Sequence, residues 1–425
     1  MCRQFFRVTF CSFIAMKIKN CRFCNSRDLK LFLDLGKCPP ADQFLKTPYS
    51  INKAKKYPLQ VVVCKSCGLV QLNYTCPGEI LYQQDYPYES DITKEGRSHW
   101  KTFAQDVVKR FKLNKNDLVI DIGSNVGELL FNFLNCGTKV CGIDPAKNIA
   151  NKAIKRGIPT IKKFFNKSII KYLKKNKIYP KVITGTNVFA HLDDIEGCVS
   201  VIKEILLFDG LLIIEAPYLR NLISGLEYDT IYHEHLTYLS LHPMKKLFKK
   251  YEMEIFDVQF KDIHGGSIRV FVKHKGGPFK ISSSIKKIEH RETIEKLNSI
   301  STLKNFSANV KKHAIELKKL LRKLKSQKKR IACVGAPAKG MTLLNYNKID
   351  NNLIDFVTEV SQLKINKYCP GTELKIVNDY KLIDENIDYA LILPWNFKNE
   401  IMQNLRDFKK KGGQFIIPFP KIEII

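Results

Sequence analysis

Two hydrophobic rhythms alternate along the chain. Short β-branched apolar runs recur, each closed by glycine or acidic residues and followed by apolar positions at helical spacing. Leu118-Val-Ile-Asp-Ile122 is such a run, too short for a helix, and reads as a buried strand. Glu128-Leu-Leu-Phe-Asn-Phe-Leu134, just beyond a glycine turn, reads as a helix. A helix from about Ile92 to Phe111 precedes this pair. After it come a strand over Thr138–Asp144, a helix over Lys147–Arg156 and a short strand over Gly157–Ile161. Strands over Lys181–Leu192 and Gly210–Pro217 follow. Residues 279–329 are lysine-rich with helical periodicity (Ile294, Leu297, Ile300, then Leu317, Leu320, Leu321, Leu324), which predicts one or two linking helices with solvated basic faces. From Lys329 the strand–glycine–helix order returns, and strands at Leu353–Val357, Tyr389–Leu393 and Gln414–Ile417 complete a second, smaller unit. The fold class expected is α/β, with two Rossmann-like units.

The first glycine turn carries chemistry. Asp121-Ile-Gly-Ser-Asn-Val-Gly127 joins strand to helix, with Gly123, Ser124, Asn125 and Gly127 in the turn. Glycines let a ligand approach the backbone, and a helix start offers unpaired N–H donors. Asp144, 17 positions after Gly127, ends the next strand where a carboxylate bridges ribose hydroxyls. The turn is not Gly-x-Gly-x-x-Gly, and an acid precedes its first glycine. Such an acid repels a pyrophosphate and attracts an ammonium or sulfonium, and S-adenosylmethionine carries both. The alternative is a tight turn with a structural Asp. Asn187 and His191 end the fourth strand and are expected in the same pocket, although His191 also fits a satisfied core histidine.

Cys21-Arg-Phe-Cys24 and Cys64-Lys-Ser-Cys67 are two C-x-x-C pairs thirty-nine residues apart, the pattern of a four-thiolate structural Zn²⁺ site with no open position for catalysis. Only 13 cysteines in 425 residues fit a reducing cytoplasm better than a disulfide framework. No uninterrupted apolar stretch of about 18 residues exists, so no membrane partner is expected. The net charge of +30 comes mostly from lysines spread along the chain. Nucleic-acid recognition favours clustered Arg, so no nucleic acid is expected, while the surplus charge helps an anionic small molecule approach. Residues 1–15 read as an upstream extension. The organisation expected is a zinc-binding domain over 16–80, an S-adenosylmethionine-binding domain over 81–275, linking helices over 276–328 and a second Rossmann-like domain over 329–425. No long apolar helix face announces a dimer, which favours a monomer.

Tyr232-His-Glu-His235 crowds ionisable groups without a helical or strand period, a density that suits proton transfer. A metal reading fails because His-Glu-x-x-His is absent. Tyr86 and Tyr88 either offer phenols to a cleft or pack at a domain seam. His264 leads a tight turn that can aim it at the cleft; Arg269 meets either a phosphate or a carboxylate. Lys339 and Asn396, near strand ends of the second unit, are candidate substrate contacts.

Taken together, the paired CxxC, DIGSN, GIDPAKNIA, NVFAHL, YHEHL, HGGSIRV, GAPAKGMTLLNY and LPWNF resemble bacterial sugar C-methyltransferases acting on nucleotide-linked 4-keto-deoxyhexoses. The resemblance implies an N-terminal zinc-binding domain, a class I methyltransferase domain and a C-terminal Rossmann-like domain that helps enclose the sugar nucleotide. It implies that Asp121, Gly123, Asn125, Asp144 and Asn187 hold S-adenosylmethionine, that His235 is the base, and that Tyr86, His191, Tyr232 and Glu234 surround the sugar. The chain departs from the family pattern at Val126, where an acidic residue is usual, at Glu128, where Thr is common, and at Asp91, which replaces one of a pair of serines after the tyrosines. The expected reaction is removal of the proton at C-3, beside the ketone, and methylation of that carbon. N- or O-methylation of a sugar nucleotide is the alternative, and a zinc-ribbon nucleic-acid methyltransferase the more distant one.

Overall fold

The computed structural model describes residues 16–47, 54–82, 89–91, 93–263, 265–372 and 374–425. Tyr86, Tyr88, His264 and the expected extension over 1–15 lie outside the described residues.

The middle unit is built on a seven-stranded sheet in the spatial order 253–261, 267–274, 211–217, 182–186, 118–122, 139–143 and 160–161. The strands from 160–161 through 211–217 are parallel. Strand Ser267–His274 runs antiparallel between its two neighbours. Parallel strands covered on both faces need apolar residues at nearly every position, and Val119, Ile120, Val182, Ile183, Leu212 and Ile213 are all fully buried. From strand Leu118–Ile122 the chain winds out to 139–143 and 160–161, then returns to 182–186 on the other side, so the order reverses at the carboxyl end of Leu118–Ile122. Helix Lys94–Phe111 is capped by Thr93, whose hydroxyl accepts from Gly96 N at 3.1 Å. Trp100, Phe103, Ala104 and Val107 form its buried stripe, the large aromatics each stabilising by about 2–3 kcal/mol.

The zinc module is a four-stranded antiparallel sheet of Leu29–Cys38, Tyr57–Cys64, Val70–Leu72 and, as its far edge, Thr237–Tyr238 from beyond the YHEHL segment. The outer strand runs on through Leu35 to Cys38, just short of Pro39. Helices Ser284–Ile294 and Ile300–Ser326 fill the linking segment, the second packing on strand Leu29–Cys38 and on helix Ala338–Asn347. Ile294, expected on the apolar stripe, is 65% exposed.

The C-terminal unit has a six-stranded sheet in the order 376–377, 357–358, 331–334, 389–392, 414–417 and 423–424, parallel except at the last strand. The strand expected at Leu353–Val357 is only Val357–Thr358, because Leu353 and Ile354 turn, both donating main-chain N–H to Asp350 O. No helix among the described residues is long and apolar enough to cross a membrane.

Candidate active site

In a doubly wound sheet the ligand crevice lies where strand order reverses, here at Asp121–Gly127. Gly123 has φ +67°, and a Cβ on it would come within 2.8 Å of the Val188 side chain. Asn125 and Asn187 adopt left-handed φ of 52° and 54°, conformations that asparagine tolerates and that cluster at ligand clamps. Asp144 Oδ2 accepts from Asn125 N at 2.9 Å and Oδ1 from Ala146 N at 2.8 Å. That ties two loops and leaves lone pairs for hydroxyl donors. Asp121 Oδ1 accepts from Thr184 Oγ1 at 2.7 Å, and burial pushes its carboxyl up to about 7. Ser124 Oγ and Asn187 Oδ1 are buried without a hydrogen-bond partner among the described residues. Two orphaned polar atoms, a glycine turn and two carboxylates at strand ends fit a polar nucleoside ligand bearing a cation.

Segment 89–91 is fastened across this cradle. Ser90 N donates to Asn125 Oδ1 at 2.9 Å, Glu89 pairs with Lys152, and Asp91 pairs with Arg156 Nη1 at 3.2 Å. Arg156 also meets Glu128 Oε2 at 2.5 Å and the Val126 carbonyl at 3.2 Å. Asp91, Val126 and Glu128 therefore converge on one guanidinium.

The YHEHL segment meets the chain just past the cradle's Asn187, Leu236 N donating to the Ala190 carbonyl at 2.7 Å. His235 Nδ1 is 2.8 Å from the Thr230 carbonyl, which can only accept, so Nδ1 carries the proton. In the neutral ring Nε2 is then the acceptor, and the Tyr232 hydroxyl donates to it at 2.7 Å. The His191 and His235 rings meet edge to face at 4.9 Å, and Tyr82 OH bonds His191 Nδ1 at 3.1 Å. Burial lowers His191 to about 4, keeping it neutral. Glu234 is 1% exposed, and neither carboxyl oxygen has a partner among the described residues. Burial first, then the charge of Asp42, push it up to about 8, so it holds a proton at neutral pH. His233 is spent on scaffolding: its Nε2 lies 3.2 Å from the Tyr57 carbonyl of the zinc module.

The structure thus gathers Tyr232, Glu234, His235 and His191, and adds Tyr82 and Asp42, which the sequence reading missed. Tyr82 begins the same phenol-rich stretch as Tyr86 and Tyr88, a few positions upstream. Asp42 follows Pro39-Pro40 in a loop that nothing local marks. Lys339 bonds Asn396, and its ammonium lies 4.5 Å over the Trp395 ring. Arg269 meets a carboxylate, Glu215, at 2.6 Å, and Glu215 also pairs with His99 at 2.5 Å. Arg269 lines a cleft of about 1000 Å³ between helix Lys94–Phe111 and the C-terminal helices around Asn399 and Arg406.

Cys21, Cys24, Cys64 and Cys67 bring their sulfurs within 4.8 Å of one another. A tetrahedral Zn²⁺ with four thiolates at about 2.3 Å needs sulfurs that close. The four cysteines fill every position of such a site, so the metal is structural.

The fold and cradle define an S-adenosylmethionine-dependent methyltransferase with a structural zinc module. Residues 97–258 match a methyltransferase domain family, residues 21–82 a zinc binding domain and residues 262–420 the C-methyltransferase C-terminal domain. The chain is 30% identical over 412 residues to the C-methyltransferase NovU of Streptomyces niveus, covering 97% of this chain and 98% of the relative. It belongs to the C-methyltransferase family. Among solved structures, magnesium protoporphyrin IX methyltransferase of Synechocystis PCC 6803 with bound S-adenosylmethionine is 14% identical, covering 42% of this chain and 79% of that one, with a TM-score of 0.32. A methyltransferase of Clostridium acetobutylicum ATCC 824 is also 14% identical, covering 44% of this chain and 94% of its own, with a TM-score of 0.35.

Proposed function

We propose that this C-methyltransferase acts on a nucleotide-linked keto-deoxysugar, methylating the carbon next to the ketone, C-3 of a 4-keto hexose, in the cytoplasm. The observation that carries the reading is the hydrogen-bond pattern of His235. With Nδ1–H committed to the Thr230 carbonyl, the ring carries its lone pair on Nε2, where it accepts from the Tyr232 hydroxyl and becomes the base when that hydroxyl turns to substrate. A carbon acid requires such a base, because a C–H proton leaves only when an adjacent carbonyl takes up the charge. Glu234, holding its proton, is the donor suited to the ketone oxygen as charge develops there, an effect of about 3 kcal/mol per preorganised donor; the Tyr232 hydroxyl joins it once substrate draws that O–H away from His235 Nε2. S-adenosylmethionine supplies an electrophilic sulfonium methyl. Asp121, Ser124, Asn125, Asp144 and Asn187 are the groups that hold it, with Asp144 toward the ribose.

His191, Tyr86 and Tyr88 complete the sugar side of this reading. His264, Lys339 and Asn396 are its outer substrate contacts, while Arg269, 1% exposed and ion-paired to Glu215 on the neighbouring strand, braces the sheet. It keeps the division into a zinc domain over 16–80, a methyltransferase domain over 81–275, linking helices over 276–328 and a substrate domain from 329. Incubation with a panel of keto-deoxysugar nucleotides and S-adenosylmethionine tests it. The expected product is 14 Da heavier, with the new methyl on carbon by NMR; a methyl on oxygen or nitrogen overturns the reading.

A further inference from the structure

The segment bearing His235 is held from two sides. On its C-terminal side it joins the zinc module: the Leu236 carbonyl accepts from Leu72 N at 2.9 Å, and Thr237 and Tyr238 pair with Gln71 and Val70. On its N-terminal side, residues Tyr228–Ile231 form a strap gripped by the C-terminal half of the chain. Tyr228 is fully buried; its hydroxyl accepts from Asn347 Nδ2 at 3.0 Å and meets His313 Nδ1 at 3.2 Å. Asp229, also fully buried, accepts from Trp395 Nε1 at 2.7 Å. The Ile231 carbonyl accepts from Thr342 Oγ1 at 3.0 Å. Thr230, between the last two, turns its carbonyl onto His235 Nδ1 at 2.8 Å.

This arrangement has a chemical consequence. A carbonyl oxygen only accepts, so its position decides which imidazole nitrogen holds the proton. The two hydrogen bonds that flank Thr230 come from different elements of the C-terminal unit, Trp395 beyond strand Tyr389–Ile392 and Thr342 on helix Ala338–Asn347. Both donors reach across a domain boundary to a segment that carries no regular strand or helix of its own beyond one 3₁₀ turn. We propose that Trp395 and Thr342 are positioning residues for methyl transfer. Through the strap they hold the Thr230 carbonyl where it keeps His235 in the Nδ1–H tautomer, so the C-terminal unit organises the base as well as enclosing substrate. The link to turnover rests on His235 being that base.

The test uses the full-length, zinc-loaded protein with ¹⁵N-labelled histidine, the His235 resonances being assigned by their loss in His235→Asn. Trp395→Phe and Thr342→Val each remove one donor and nearly preserve shape. In the parent protein the His235 nitrogens give one protonated and one unprotonated resonance. In either variant the two move toward each other, kcat falls by about tenfold to a hundredfold, and KM for S-adenosylmethionine changes by less than about threefold. Phe408→Leu, which loosens the core of the same unit where Phe408 packs on Phe415, leaves the resonances in place. Parent-like resonances and kcat in both donor variants overturn the proposal, as does an equal shift in Phe408→Leu. Undiminished proton exchange in His235→Ala is a separate result: it removes His235 from the base role, while the resonances still report whether the strap sets the ring.

Discussion

The methyl-donor cradle and the acid–base cluster sit side by side yet are made in opposite ways. The cradle comes from one run of chain, Asp121 to Asn187, and its parts are bonded to one another: Asp144 to Asn125 N, Asp121 to Thr184. The cluster around His235 draws on all three units: Asp42 and the Tyr57 carbonyl from the zinc module, Tyr82 and His191 from the middle, Trp395 and Thr342 from the C-terminal unit. Holding the donor is therefore a local property, and making a carbon nucleophile is a property of the assembly.

That contrast breaks most sharply at the zinc. Cys64→Ser is expected to strip the metal and loosen the edge strand that carries Thr237. Turnover then falls below detection, while calorimetry gives an S-adenosylmethionine Kd within about threefold of the parent value. Loss of both together contradicts the local character of the cradle. His235→Ala lowers kcat by about a thousandfold and leaves donor binding unchanged by the same calorimetry. Asp144→Ala does the reverse, weakening S-adenosylmethionine about 10- to 100-fold, with proton exchange at the sugar carbon retained.

Two smaller effects are pH-dependent. Without ligand the Asp121 carboxyl is held at about 7 by burial, and a cationic ligand favours its ionised form. The S-adenosylmethionine Kd therefore tightens about tenfold at most from pH 6 to 8, and Asp121→Asn flattens the trend. Glu234 keeps its proton to about 8 in the fold, against an ordinary 4.5. The native state thus binds the extra proton between those values, and its contribution to stability declines as pH rises through that window. Glu234→Gln, with nothing to ionise, is expected to melt a few degrees higher than the parent at pH 9 and to show little difference at pH 4, while turning over more slowly.

The same contrast explains what could be read from the sequence. Strand Leu118–Ile122 and its glycine turn announce themselves, because a buried parallel strand must be apolar throughout and a close ligand approach needs glycine. Doubled cysteine pairs are equally local. The outer strand Leu29–Cys38 is not legible in the sequence because it lies at a sheet edge, where exposed Lys30, Asp34 and Lys37 blur the alternation. Asp42, Tyr82 and Trp395 went unseen because their partners lie far away in the chain. Lys339 and Asn396 stand out in the sequence as polar groups near strand ends, but no local pattern says that each is the other's partner.

The most direct measurement follows the substrate carbon before any methyl arrives. With a nucleotide-linked 4-keto-deoxyhexose in D₂O and S-adenosylhomocysteine in place of the donor, the parent protein is expected to wash deuterium into the position beside the ketone, and His235→Ala is not. Deuterium entering at the parent rate without His235 contradicts the account.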